Sequence, residues 1–180
     1  MQTNPWITKS TEIIYSNNWI ELKHNEVVKP SGSDGTYSEV HFKNIAAAII
    51  PIDNEGFTYL VGQYRYPLNL YSWELPMGGS PQSESVLEGA KRELLEETGL
   101  VAEKWTEIAQ THTSNCVTDE LGVIYLAENL TQMEAIPDDT EVLTIKKIHF
   151  KEVLKMAENG EITDAISLIG IFKLARILKY

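Results

Sequence analysis

The chain reads as an α/β protein, a mixed sheet with helices on both faces in an α/β/α sandwich, preceded by a small β-rich segment at its N-terminus. Three observations predict this. Strand-like runs fill the first 65 residues and are separated by turn clusters at 30–35 and 53–56. One strongly patterned helix follows the glycine pair Gly78-Gly79. Beyond it, further strands alternate with two more helical patterns, as α/β architectures require.

Taken in order, residues 12–15, 20–28 and 37–43 are expected as strands, with Pro30, Gly32, Asp34 and Gly35 in the connecting turn. A second pair, 44–52 and 58–65, flanks the turn that holds Asp53 and Gly56, and 72–75 is a short strand. A helix over 85–98 follows, then strands at 105–111, 123–126 and 146–150. Residues 151–158 read as a helix closed by Asn159-Gly160. A last helix has Thr163 or Asp164 as its N-cap and an apolar stripe of Ile166, Ile169, Leu174 and Ile177. The expected organisation is therefore a β-rich segment, residues 1–44, and a main domain, residues 45–180.

Composition bounds the function. With 180 residues, 43% hydrophobic and 23% charged, the chain is long enough for a sizeable core. Its 15 basic residues face 26 acidic ones, a net charge of −11, and no basic cluster stands out. Proteins that grip polymeric nucleic acid need lysine and arginine set against phosphates, so such a partner is not expected. Cys116 is the single cysteine, which excludes an intrachain disulfide. Residues 1–10 lack the basic and apolar run of a secretory signal. The apolar run at 46–50 is far too short to span a bilayer. A cytoplasmic location without membrane attachment is the expectation.

The helix at 85–98 carries the chemistry. Ser85 and Glu88 have capping-box spacing, and Gly99 suits a left-handed stop. Val86, Leu87, Ala90 and Leu94 form a core-facing stripe. At roughly 100° per residue, Glu93, Glu96 and Glu97 share one arc of about 100° beside that stripe. Glu93 and Glu97 are neighbours of like charge four residues apart, a mildly destabilising pair unless a cation sits with them. Alone, such an acidic run is usually a solvated face. Here Gly78-Gly79 allows close backbone approach, Glu84 stands ahead of the helix, and Arg92 can brace the loop or its neighbours.

The spacing from Gly78 to Leu100, G-x5-E-x7-R-E-L-L-E-E-T-G-L, fills every fixed position of the signature that it resembles, that of the Nudix hydrolases. The approach to it, with Gln63-Tyr64-Arg65-Tyr66-Pro67 and then Trp73 to Gly78, is similar to ADP-ribose pyrophosphatases and related nucleoside-diphosphate-sugar hydrolases. That resemblance implies a Nudix-type sandwich and a metal-dependent enzyme that acts on phosphoric anhydrides. Its metal ligands would be Glu93, Glu96, Glu97 and the backbone carbonyl of Met77. Mg²⁺ is the implied cofactor, with Mn²⁺ as an alternative. Arg65 would hold a diphosphate oxygen, against a structural salt bridge at a strand end as the other reading. Glu74 would pair with Arg92 or touch substrate. The loop 114–120 would supply the general base, with Glu120 at the matching position and Asp119 as fallback. Relatives carry a Ser-Pro-Gly-like segment there, where this chain has Ser114-Asn115-Cys116.

The resemblance further implies a homodimer formed through the N-terminal segment. Trp6, Trp19 and Tyr37 are candidates to stack on the nucleobase, or else core or interface residues. The catalytic set expected is Glu120, Glu96 and Arg92, and the reaction hydrolysis of ADP-ribose to AMP and ribose 5-phosphate. The alternatives are another Nudix substrate (GDP-mannose, a dinucleoside polyphosphate or an oxidised nucleoside triphosphate), a non-catalytic ADP-ribose sensor, or an interaction module with an acidic helix.

Overall fold

The computed structural model describes residues 3–133 and 143–180. The chain divides into two compact units: Met1–Asn44 with His112–Glu120, and Ile45–Thr111 with Leu121–Tyr180.

In the first unit β1 (Ile7–Ser16), β2 (Ile20–Val28) and β3 (Asp34–Phe42) form an antiparallel sheet in the order β1-β2-β3. The β2–β3 register runs unbroken from Ile20 opposite Phe42 to Val28 opposite Asp34. Gly32, at φ +85°, turns the chain between them. Only the edge strand β1 shows register shifts, and every one of its residues is exposed.

The second unit is built on β4 (Asn44–Pro51) and β9 (Leu121–Gln132), which pair in parallel from Ala46 opposite Gly122 to Pro51 opposite Ala127. With β7 (Met77–Pro81) and β8 (Leu100–His112) they make a four-stranded sheet, order β7-β4-β9-β8. A three-stranded antiparallel sheet joins β10 (Thr144–His149), β5 (Phe57–Arg65) and β6 (Leu70–Glu74). The helices are α1 (Val86–Thr98), α2 (Phe150–Glu158) and α3 (Ala165–Leu178). Because side chains alternate along a strand, β4 and β9 feed two cores. Ala48, Ile50, Ile124 and Leu126 pack with Phe150, Val153, Ile166, Ile171 and Leu174. Ala47, Ile49, Val123 and Tyr125 pack with Ala90 and Leu94 of α1. A strand pair buried on both faces reads as a near-continuous apolar run, which 45–50 is. The unit is thus an α/β/α sandwich.

The elements follow the expected order, but β1, β8 and β9 are longer than the expected 12–15, 105–111 and 123–126, and three further corrections stand out. Met77–Pro81 is a strand, although glycine, serine and proline give it little strand character. Phe150 opens α2 instead of ending β10, because His149 caps the helix through Nδ1, which accepts the Lys151 N–H. On α3, Ile166 and Leu174 are buried as expected, but Ile169 and Ile177 are exposed. The buried face runs through Gly170, where a Cβ would stand 3.0 Å from Leu75 Cδ1 and 3.1 Å from Ile124 Cγ2. A glycine chosen for close approach carries no apolar signal, so the stripe read from apolar residues was rotated. Among the described residues, no helix is long and apolar enough to cross a membrane.

Candidate active site on the motif helix

Local rules set α1. Ser85 Oγ accepts the Glu88 N–H at 3.2 Å, and Gly99, at φ +71°, closes the helix with its N–H on the Leu95 carbonyl. Ala90 and Leu94 are buried, with Val86 and Leu87 packed beside them. This fixes the helix rotation and carries the glutamates on the flanking arc.

Arg92 is the hub of that arc. Its Nη1 donates to Glu93 Oε1 at 2.8 Å and to Glu96 Oε2 at 2.9 Å, while Nη2 donates to Glu84 Oε1 at 2.9 Å and to the Gly79 carbonyl at 3.0 Å. Glu84 above all, then Glu93 and Glu96, raise the guanidinium pKa beyond its already high value, against the opposing effect of burial. One planar cation thereby ties strand β7, the loop before the helix and two turns of the helix together, a task suited to the guanidinium fork.

Gly78 and Met77 complete the geometry. A Cβ at Gly78 would lie 2.0 Å from the carboxyl carbon of Glu93, so a side chain there would have to displace that carboxylate. Glu97 is 8% exposed and its Oε2 accepts the Met77 N–H at 3.0 Å. Glu93, Glu96, Glu97 and the Met77 carbonyl are all hard oxygen donors, the kind Mg²⁺ takes and soft metals do not. Among the described residues, no three Asp, Glu, His or Cys side chains stand together as a ready cage. Mg²⁺ binds through one or two carboxylates and completes its shell with water and substrate phosphates. The donor set therefore fits a hard divalent cation.

Arg65 and Glu74 form a second pair. Arg65 Nε donates to Glu74 Oε1 at 2.9 Å and Nη2 to Glu74 Oε2, a two-point contact across the β5–β6 hairpin. Glu74 therefore pairs with Arg65, a partner the sequence did not suggest, and not with Arg92. The Glu74 side chain is 4% exposed and that of Arg65 36%, so the acid is the buried anchor of a partly exposed arginine. Next to it, the Leu75 N–H donates to Ser167 Oγ at 2.9 Å, tying β6 to α3.

The remaining sequence candidates lie in the first unit. Glu120 Oε2 accepts from Thr113 Oγ1. Asp119 has both oxygens engaged, Oδ1 by the Phe42 N–H at 2.9 Å and Oδ2 by His41 Nδ1 at 2.5 Å. Trp6 and Tyr37 meet edge to face with centroids 5.4 Å apart. They wall a cleft of about 320 Å³ with Asn25, Glu39 and residues 115–118. Trp19 stands apart at 65% exposure. His41 and Thr113 were missed by sequence reasoning, since neither lies in a motif.

The model of the NUDIX domain matches residues 42–166, and the chain belongs to the Nudix family, as an enzyme that acts on phosphoric anhydrides. It is 32% identical over 166 residues to an ADP-ribose pyrophosphatase of Bacillus subtilis (strain 168), covering 91% of this chain and 89% of that one. It is 30% identical over 177 residues to a methanol dehydrogenase activator of Bacillus methanolicus, covering 96% and 95%. A solved structure described as "Crystal structure of ADP compounds hydrolase" superposes with a TM-score of 0.87 at 19% identity, over 99% of this chain and 97% of that one, which speaks for the fold alone.

Proposed function

We propose that the chain hydrolyses the diphosphate bridge of a nucleoside diphosphate sugar with the help of a divalent cation, Mg²⁺ first, and that its substrate is ADP-ribose, cleaved to AMP and ribose 5-phosphate. The observation that carries this reading is the Glu93 carboxylate held by Arg92 against the bare backbone of Gly78, with Glu96 and Glu97 on the same helix. Arg92 offsets part of the charge of Glu93 and Glu96, and a divalent cation held with Glu97 would offset more of it. Glu93, Glu96, Glu97 and the Met77 carbonyl would hold the ion. When bound, it neutralises charge on the bridging phosphates and makes an attacking water more acidic. Arg92 keeps the three acids of its network in place, and Arg65, oriented by Glu74, donates to a diphosphate oxygen. Glu120 takes the proton from water as it attacks phosphorus, and the other phosphate leaves. Trp6, Trp19 and Tyr37 offer flat faces to the base, and a homodimer through the N-terminal sheet is part of the same reading. The 32% identity to an ADP-ribose pyrophosphatase supports the choice of sugar.

A panel of ADP-ribose, GDP-mannose, a dinucleoside polyphosphate and an oxidised nucleoside triphosphate, assayed with and without Mg²⁺ and Mn²⁺, tests this. ADP-ribose should give the highest kcat/KM, with AMP as product and no turnover in chelator. A higher value for another nucleotide would replace the substrate. Tight ADP-ribose binding without cleavage at any metal concentration would leave a sensor.

A further inference from the structure

The loop that carries Glu120 belongs by its contacts to the N-terminal sheet. Val40 and Thr118 form a parallel bridge beyond the three named strands. The Val40 N–H donates to the Val117 carbonyl at 2.9 Å, and the Asp119 N–H to the Val40 carbonyl at 3.4 Å. Side chains add to this: the Tyr37 hydroxyl donates to the Cys116 carbonyl, and Asp119 takes the Phe42 N–H on one oxygen and His41 on the other. Within the loop, Thr118 Oγ1 donates to the Thr113 carbonyl at 2.7 Å, Thr113 Oγ1 donates to the Glu120 carboxylate, and His112 Nδ1 donates to the Glu120 carbonyl at 3.1 Å. The backbone on both sides of Glu120 is thus held.

We propose that Asp119 and His41 are positioning residues, whose pair fixes the loop so that Glu120 is presented in one orientation; this rests on the assignment of Glu120 as the base. With one oxygen on a backbone N–H and the other on an imidazole, the Asp119 carboxylate cannot turn, and the next peptide is that of Glu120. The same engagement of both oxygens argues against Asp119 as the base itself. The contacts join segments 77 to 79 residues apart, so removing them returns to the loop the freedom that closure had taken.

The test compares the full chain with Glu120→Gln, Asp119→Ala and the double variant, each assayed with ADP-ribose and Mg²⁺ and checked for folding by thermal melting. Asp119→Ala should lower kcat roughly 10–100-fold, the range over which an orienting partner acts, with KM changed less than about threefold. The double variant should be no slower than Glu120→Gln alone, because a positioning residue then has nothing to position. If Asp119→Ala melts below assay temperature, His41→Gln, which leaves the Phe42 contact in place, serves in the same cycle. An unchanged kcat, or an equal loss in the Glu120→Gln background, overturns the proposal. Glu120→Gln at parent kcat removes the base assignment and the proposal with it. That result is read from the single variant, apart from anything Asp119 does.

Discussion

The two compact units hold their acids by opposite means. In the second, Arg92 gathers Glu84, Glu93, Glu96 and the Gly79 carbonyl from no more than 13 residues away, so the network assembles with its helix. In the first, Asp119 is held by His41 and Phe42 from 78 and 77 residues away, so the clasp exists only once both segments are folded. The Arg92 network depends on charge compensation and the Asp119 clasp on loop closure. Charge substitutions should therefore act mainly on the motif helix, whereas cutting a tether should act on the loop through its freedom.

The largest effect is expected at Glu97. Glu97→Gln keeps a carbonyl oxygen to accept the Met77 N–H while replacing the charged carboxylate by a neutral amide of the same shape, so the fold should persist. Turnover should fall by about 10³-fold, the rate equivalent of the several kcal/mol that a bound cation contributes to the transition state. A steady-state assay beside a melting curve separates the possibilities. Near-parent turnover would mean that charge at 97 is not part of the chemistry, and a large drop in Tm would make Glu97 structural.

Next in size is the hub. Arg92→Ala leaves Glu84, Glu93 and Glu96 without their shared cation and should destabilise the chain by about 1–3 kcal/mol, discounted because the Arg92 side chain is 37% exposed. Arg92→Lys should recover less than half of that, since an ammonium cannot reproduce the four-point fork. Full recovery would reduce the network to simple charge balance. Gly78→Ala should cost about 1–2 kcal/mol by displacing the Glu93 carboxylate. Chemical denaturation measures all three.

What the sequence made legible follows the same division. The stripe of Val86, Leu87, Ala90 and Leu94, the Ser85 cap and the Gly99 stop are local and periodic, so α1 and its acidic arc could be read directly. Strand β7 could not, because its strand character comes from pairing with β4 and not from Met77–Pro81 themselves. The Arg65–Glu74 pair could not be read either, because the register sets Glu74 opposite Val61, four positions from Arg65, and only the long arginine side chain closes that span. The His41–Asp119 contact needs the whole first unit. Nothing in either residue's neighbours announces the other.

The smallest effect contrasts one aspartate in each unit. Burial pushes the Asp53 carboxyl up, but the ion pair with Lys147 at 2.8 Å and the N–H groups of Phe57 and Glu55 outweigh it and hold it below 3.8. Asp119 likewise is raised by burial and brought below 3.8 by His41 and the Phe42 N–H. A depressed carboxyl stabilises the fold fully above its unfolded value of 3.8 and loses that contribution as pH falls through the folded value. Stability should therefore be flat, as far as these two groups set it, from neutrality to about pH 5 and decline below that. Asp53→Asn and Asp119→Asn should each flatten the acid decline, which denaturation curves between about pH 2 and 7 would show. Only Asp119→Asn should also lower kcat at neutral pH. If Asp53→Asn lowers kcat as much, the turn at 53–56 is coupled to the chemistry as closely as the clasp. The contrast between a local network and a long-range tether would then no longer explain which contacts matter for turnover.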